Sequence, residues 1–305
     1  MRTLLGDGDL TDVKPHDAVG WMLEALRLHA AGDLTSPPRL HAHLDGGDLV
    51  VTAGGTSRWY GFRSYDTLRT TAGQQLVVTH DRTSGRVEAI HVGQQLGAMR
   101  TGALGGAAAA LLGPTGSCTV AIVGAGRQAW WQMWALSSVL DIARVQVASR
   151  TPASRDAFAH RARTDLGLTA QPAASIRDAV RDADLVVLAT NSPTPVVDVG
   201  WLREDVMVTT MGPKQVGRAE FDIDLVTGAG LVTCDSPTQL EAYDPPALVA
   251  AAGHHHRVLD LGHIALDPEK ATRTGRRVYL SVGLAGTEVH LLGRLSAQLA
   301  VPTGH

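Results

Sequence analysis

The apolar run Thr119-Val120-Ala121-Ile122-Val123 passes straight into Gly124-Ala125-Gly126-Arg127-Gln128-Ala129 and then into a helical pattern. That spacing is chemistry for a phosphate diester. Gly124 permits a tight turn, Gly126 lets the backbone approach a pyrophosphate, and Ala129 lets the helix sit close to its strand. The first N–H groups of a helix lack intrahelical acceptors, so they face the phosphates together with the positive end of the helix dipole. A ligand-free strand–helix turn would use the same glycines. The strand before the motif, the helix after it and a second strand roughly 20 residues on favour a dinucleotide.

That second strand ends in Ala148-Ser149-Arg150-Thr151. A site for NAD usually carries Asp or Glu here to hold the ribose 2′-OH. Ser149, Arg150 and Thr151 instead offer two hydroxyls and a guanidinium, which suit a 2′-phosphate. NADP(H) is therefore expected over NAD(H), the alternative being that Arg150 is a solvated loop charge.

Loops at the carboxyl ends of parallel strands line the ligand crevice. Thr190 and Asn191 follow the apolar run Leu185–Ala189, and Met211 follows Val206–Thr210. They are expected beside the nicotinamide half, unless they are ordinary loop residues. Lys214 follows Gly212-Pro213 at the same strand end. A lysine buried near other cations has a lowered pKa and can act as general acid or base. Its other roles would be a phosphate or carboxylate contact, or a solvated loop charge. His91 is a second proton-relay candidate or a satisfied structural histidine.

Arg39, Arg63 and Arg100 lie outside the dinucleotide half. Their planar forks suit a carboxylate, so an amino, imino or keto acid is a sensible ligand. Each could equally be a surface charge or a structural pair. His254-His255-His256 are adjacent and do not present one face, so no metal site is expected.

The elements that must position these groups follow from periodicity. Pro15–Ala31 carries an apolar stripe at Val19, Met22, Leu23 and Leu26 and predicts a helix. Short strand-like pieces at Arg39–Leu44, Asp48–Ala53, Trp59–Tyr65, Gln75–Asp81 and Val87–Val92 predict a mostly antiparallel sheet. Gln94–Leu112 predicts a helix of small residues, and Gly113-Pro114-Thr115-Gly116 a hinge. Beyond Ser117 the texture alternates. Strands are predicted at Cys118–Val123, Arg144–Ala148, Leu185–Ala189, Val206–Thr210 and Leu231–Cys234. Helices are predicted at Arg127–Leu140, Pro152–Leu166 and Ser175–Arg181, then a last one over Thr287–Leu299 that returns to the first half. Apolar strands separated by helices mean a parallel sheet with right-handed crossovers. Trp130 and Trp134, four residues apart, are expected to pack on the other half or on a second subunit.

Bulk composition narrows the rest. The chain has 305 residues, 44% hydrophobic and 19% charged, an ordinary globular mixture. A net charge of −3 gives no reason to expect nucleic acid or an anionic membrane as partner. Only two cysteines, no N-terminal apolar run and no stretch long enough to span a bilayer suggest a cytoplasmic protein.

Four stretches together resemble the ornithine cyclodeaminase/mu-crystallin family. They are Leu96-Gly97-Ala98-Met99-Arg100-Thr101-Gly102-Ala103, Val120–Ala129, Asp184–Ser192 and Ser281-Val282-Gly283-Leu284-Ala285. The resemblance runs from about Arg39 to Glu288. It implies an α/β fold: a Rossmann-type doubly wound parallel sheet over residues 113–286, plus an α/β substrate-binding and dimerisation domain from 1–112 and 287–305. It also implies a homodimer, a small carboxylate-bearing substrate, and Ser281 and Gly283 near the cofactor. Family activities pass hydride between a nicotinamide and a carbon that bears nitrogen next to a carboxylate. Arg39 and Arg100 match family arginines for the substrate carboxylate, and Arg63 stands where a lysine is usual.

Two departures matter. Lys214 occupies the place of the family's catalytic Asp, with Gly217, Arg218 and Glu220 keeping the frame, and His91 replaces an acidic residue. Glu288 stands near the family's terminal Asp. The expected activity is thus an NADP(H)-dependent reductase or dehydrogenase of an imino, amino or keto acid. The alternatives are a cyclodeaminase-type lyase with recycled NAD, which the loss of the carboxylate disfavours, and a non-catalytic binding protein.

Overall fold

In the computed structural model, residues 4–68, 70, 73–271 and 274–300 are described. The ends of the expected substrate domain, 1–3 and 301–305, lie outside the described residues.

The first sheet has six strands: β1 (Leu4–Gly6), β2 (Leu40–Leu44), β3 (Gly47–Gly55), β4 (Trp59–Asp66), β5 (Gln75–Asp81) and β6 (Val87–Gly93). Their order is β1-β6-β5-β4-β3-β2, antiparallel except for β1 beside β6. The mostly antiparallel sheet is as expected. β1 escaped notice because three residues carry no period.

Register sorts the side chains. Leu5, His91, Val77 and Arg63 form one row facing inward. The last helix, Thr287–Ala300, packs on that face against β3 to β6. Leu4, Ile90, Val78 and Phe62 form a row on the opposite face, continued by Val51 and Leu40 and by Leu49 and Ala42. Leu4, Leu40, Leu44 and Leu49 are exposed there.

The second sheet is wholly parallel. Its strands are β7 (Ser117–Val123), β8 (Asp141–Ala148), β9 (Ala170–Pro172), β10 (Leu185–Leu188) and β11 (Met207–Thr210). A two-residue hairpin follows, β12 (Lys214–Gln215) with β13 (Arg218–Ala219). Then come β14 (Leu231–Cys234), β15 (Val258–Asp260) and β16 (Arg277–Leu280). The order β15-β14-β16-β11-β10-β7-β8-β9 reverses direction between β7 and β10. Crevices in open parallel sheets form at such a switch point. The central strands are buried on both faces, which is why they read as continuous apolar runs.

Helix α1 (Pro15–Ala30) starts with proline at its first position and buries Val19, Met22 and Leu26. Helix α2 (Leu96–Leu112) is buried along most of its length because its residues are small. A Cβ on Gly102 would lie 2.3 Å from the Trp131 carbonyl oxygen, so this glycine sets how closely α2 meets the next helix, α3 (Arg127–Leu136). Helix α3 ends at Leu136, four residues before its expected end, and Ser138 and Val139 donate back to carbonyls three residues earlier.

The tryptophans of α3 line a cavity with Asp7, Leu10, Lys14 and Pro15 of the first half. The Trp130 ring packs edge-on to Phe158 and under the Arg161 guanidinium, both on α4 (Pro152–Leu166). Trp131 reaches the other half instead, donating its Nε1–H to Gln95 at 2.9 Å. His254 to His256 sit at a surface turn.

Candidate active site

The turn after β7 has the geometry its glycines imply. Gly124 has φ +116°, and a Cβ there would lie 2.2 Å from the Ala189 carbonyl oxygen after β10. Only glycine allows the two strand ends to close this tightly at the switch point. Gly126 has extended backbone, and a Cβ on it would meet no atom within 4 Å, so its outer side is open to a ligand. Helix α3 begins there without a side-chain cap, which leaves its first N–H groups to an outside acceptor. Ala129 is fully buried against the sheet. This turn fits a pyrophosphate. Ala125 is partly buried in it and Gln128 is exposed. The Arg127 side chain turns aside and donates to Gln94 Oε1 at 2.9 Å, so its backbone rather than its guanidinium is presented at the turn.

After β8, Ser149 is half-buried while Arg150 and Thr151 are exposed. Thr151 caps α4 by position, and its hydroxyl donates to Ser154 Oγ at 2.8 Å.

The loops after β10 and β11 are tied together by one carboxylate that the sequence marked only as frame. Glu220 is fully buried and accepts from the Thr190 N–H at 2.9 Å and the Thr190 hydroxyl at 2.8 Å. It also accepts from the N–H groups of Met211 and Gly212. Four charge-assisted bonds hold both loops at the crevice mouth. Asn191 lies exposed on the rim.

Lys214 is 4% exposed, and its Nζ donates to the Gly212 carbonyl at 2.7 Å. Burial lowers its pKa from 10.5 to about 8, with Arg39 in the same direction and Glu220 and Asp235 opposing. Asp235, fully buried, accepts from the N–H groups of Val282 at 2.8 Å and Gly283 at 3.0 Å. It thereby fixes the Ser281-Val282-Gly283 turn after β16, whose Ser281 N–H donates to the Thr210 carbonyl.

The three arginines converge. Arg39 donates to the Val282 carbonyl, and a Cβ on Gly283, at φ +95°, would lie 2.6 Å from Arg39 Nη2 and 3.5 Å from Arg100 Nη1. Glu288, 1% exposed at the start of the last helix, accepts from Arg63 Nη1 at 2.8 Å and from Arg100 Nη2, both on its Oε1. Burial alone would raise its pKa, but Arg100 and Arg63 overcome this and hold it at about 2. Arg63 is braced further by Gln75 at 3.1 Å. Counting side chains, Arg39, Arg63, Arg100 and protonated Lys214 face Glu220, Asp235 and Glu288, which leaves one net positive charge. That balance has the charge to accept one carboxylate beside an ammonium of adjustable charge.

Sequence reading missed Glu288 and Asp235 as site residues. A buried acid next to a glycine turn has no spacing of its own; the local signals were the family-like Ser281–Ala285 segment and the place of Glu288 near the family's terminal Asp. His91 is set apart from this group. It is fully buried, its Nε2 lies 3.4 Å from Asp7, and burial lowers its pKa while Asp7 and Asp9 oppose. A cavity of about 890 Å³ lies elsewhere, on the outer side of α3 among Trp130, Trp131 and Trp134, and contains none of these arginines.

Comparison with known proteins shows the family and the fold. The family model for the ornithine cyclodeaminase/mu-crystallin family matches residues 9–292. An alanine dehydrogenase of Archaeoglobus fulgidus is 27% identical over 228 residues, 72% of this chain and 69% of that protein. A delta(1)-pyrroline-2-carboxylate reductase of Bacillus cereus is 30% identical over 224 residues, 70% of this chain and 67% of that protein. Among solved structures, the Thermococcus litoralis delta(1)-pyrroline-2-carboxylate reductase in complex with NADH and L-proline superposes with a TM-score of 0.86. It is 24% identical, with 98% of this chain and 97% of that chain covered, a likeness of fold.

Proposed function

This chain belongs to the ornithine cyclodeaminase/mu-crystallin family, and from that premise we propose that it is a nicotinamide-dependent oxidoreductase acting on the C=N or CH–NH bond of a small imino or amino acid. The observation that carries this reading is the convergence of Arg39, Arg63 and Arg100 at Gly283 and Glu288, with the buried Lys214 ammonium near enough to Arg39 for their charges to interact. In this reading residues 113–286 hold the cofactor and residues 1–112 with the last helix hold the substrate.

A nicotinamide bound along the Gly124–Ala129 turn would supply hydride to the substrate carbon. The chain's own residues do the rest. Arg39 and Arg100 receive the substrate carboxylate and so orient the adjacent C=N bond. Lys214 gives a proton to the nitrogen as the C–H bond forms, and a pKa of about 8 lets it do so near neutral pH. Glu220 keeps Thr190 and Met211 against the nicotinamide half. His91 is structural in this reading, its imidazole held beside Asp7.

NADP(H) over NAD(H) is the finer proposal, supported by Ser149, Arg150 and Thr151 and by the lack of an acidic residue there. A homodimer is supported by the open apolar sheet face around Leu40, Leu44 and Leu49. No helix of the described residues is long and apolar enough to cross a membrane. Both cysteines are buried and unpaired, which supports a reducing, cytoplasmic setting.

The lyase alternative lacks a carboxylate at position 214, and Glu220 and Asp235 are committed to backbone N–H groups. The test is to mix the protein with NADPH or NADH and a panel of cyclic imino acids and 2-keto acids with amines, following nicotinamide absorbance. Net oxidation supports the reductase. Ammonia release from ornithine without net cofactor change, or binding without turnover, overturns it.

A further inference from the structure

Glu288 poses a question that the proposed mechanism leaves open. Its Oε1 takes a hydrogen bond from each of two guanidiniums, Arg63 and Arg100, while its Oε2 has no partner. Arg100 is 4% exposed and uses only Nη2; its Nη1 and Nε have no partner. Arginine donates through a fork, and a single carboxylate oxygen has engaged one prong of it. The unused prong, Nη1, is the one beside Gly283, where Arg39 also arrives.

Two roles are open to a carboxylate in that place. It could be a stand-in that a substrate carboxylate must displace, or a fixture that aims the arginines. The surroundings favour the fixture. Glu288 is 1% exposed in the first turn of a helix whose opening residues are buried. The preceding Thr287 is fully buried, with its hydroxyl donating to the Leu284 carbonyl at 2.6 Å. The partner Arg63 is itself braced by Gln75. A residue so confined has no room to swing out for each turnover.

We propose that Glu288 is the positioning residue of the carboxylate subsite: by holding Arg63 and one prong of Arg100, it turns the other prong toward the substrate carboxylate beside Arg39. This rests on the reading of the arginine group as the carboxylate subsite. Glu288 also cancels one of three guanidinium charges; with protonated Lys214 added and Glu220 and Asp235 opposing, one net positive charge is left, which matches a single carboxylate.

The proposal makes a prediction opposite in sign to simple electrostatics. Removing a negative charge should tighten binding of an anion; removing a fixture should weaken it. The probe is 2-furoate, a planar five-membered ring with one carboxylate, with furan-2-carboxamide as its uncharged counterpart. Binding to the NADPH-loaded protein is read by calorimetry, and NADPH affinity is measured separately by fluorescence. E288Q is expected to weaken 2-furoate at least tenfold with NADPH affinity unchanged, to raise KM for a cyclic imino acid more than it lowers kcat, and to leave the carboxamide unaffected. E288D, which keeps the charge on a shorter arm, is expected to recover part of the loss.

Unchanged or tighter 2-furoate binding in E288Q overturns the proposal. If E288Q does not fold, E288D decides alone: weaker 2-furoate binding at unchanged NADPH affinity supports it, and unchanged binding overturns it. Should the wild-type protein bind NADPH but treat 2-furoate and the carboxamide alike, the carboxylate-subsite reading itself has failed, a result distinct from the E288Q outcome.

Discussion

The Lys214 ammonium donates to the carbonyl of Gly212, two residues earlier, at 2.7 Å. That bond turns the side chain back over the loop after β11 and keeps it out of bulk water. Burial then lowers its pKa to about 8, and the sign matters for activity. Lys214 is protonated below that value and loses its proton as pH rises through it. If it is the proton donor, turnover in the reducing direction falls on the alkaline side with an apparent pKa near 8. Lys214→Ala should lower turnover by roughly 10²-fold or more, with NADPH affinity nearly intact. Lys214→Arg should move the alkaline limb upward. Equal losses of turnover and NADPH affinity in Lys214→Ala would remove the catalytic role.

Glu288 predicts the acid side of stability. Its pKa is held at about 2 against an ordinary value of 4.5, so the folded state favours the ionised form. The stabilisation is fully present above about pH 4.5 and is lost as pH falls toward 2, on the order of 3 kcal/mol in all. Denaturant unfolding at pH 6 and at pH 3 should therefore show a gap between wild type and Glu288→Gln that narrows at the lower pH. A gap of constant size would mean that the ion pairs do not account for it.

Gly124 and Gly126 should respond differently to the same added methyl group. Gly124→Ala combines a positive φ with a Cβ 2.2 Å from the Ala189 carbonyl, so it should destabilise the fold. The backbone conformation alone costs about 1–3 kcal/mol. Gly126→Ala meets no protein atom within 4 Å and should leave the melting temperature unchanged. It should nonetheless weaken NADPH roughly tenfold or more, because the methyl group stands where the pyrophosphate approaches. Normal NADPH binding by Gly126→Ala would displace the cofactor from this turn.

Arg150 is exposed at the end of β8 and free to meet a 2′-phosphate. Arg150→Asp should shift the NADPH-to-NADH preference toward NADH by roughly ten- to a hundredfold. The ratio of kcat/KM for the two cofactors measures it, and an unchanged ratio would mean the 2′-phosphate lies elsewhere.

The open face of the first sheet predicts its own cover. Leu40, Leu44 and Leu49 share that face at the edge, exposed by 68%, 49% and 39%. A second copy of the chain laid on it would bury them. Sedimentation should show a dimer for the wild type and a monomer for a Leu40→Asp, Leu44→Asp double variant. A wild-type monomer would end the dimer proposal.

What the sequence determined by itself is the part of this protein whose chemistry is local. The strand–Gly-x-Gly–helix turn, the parallel strands behind it and the missing acid after Ala148 are all contained in short spans, and period and spacing expose them. From the residues alone, Arg39, Arg63 and Arg100 were legible as separate charges suited to a carboxylate; the family resemblance assigned Arg39 and Arg100 to one substrate but not their partners. Only the tertiary structure brought them together: Glu288, nearly 190 residues beyond Arg100, joins Arg100 to Arg63, and the Val282-Gly283 turn brings Arg39 beside them. The same holds for Glu220 and Asp235, whose roles depend on which backbone N–H groups arrive beside them. It holds for His91 too, which lies inward on β6 beside Asp7 rather than with Lys214. Burial and pairing of charge depend on neighbours in space, and no sequence period records which distant residue will supply the partner.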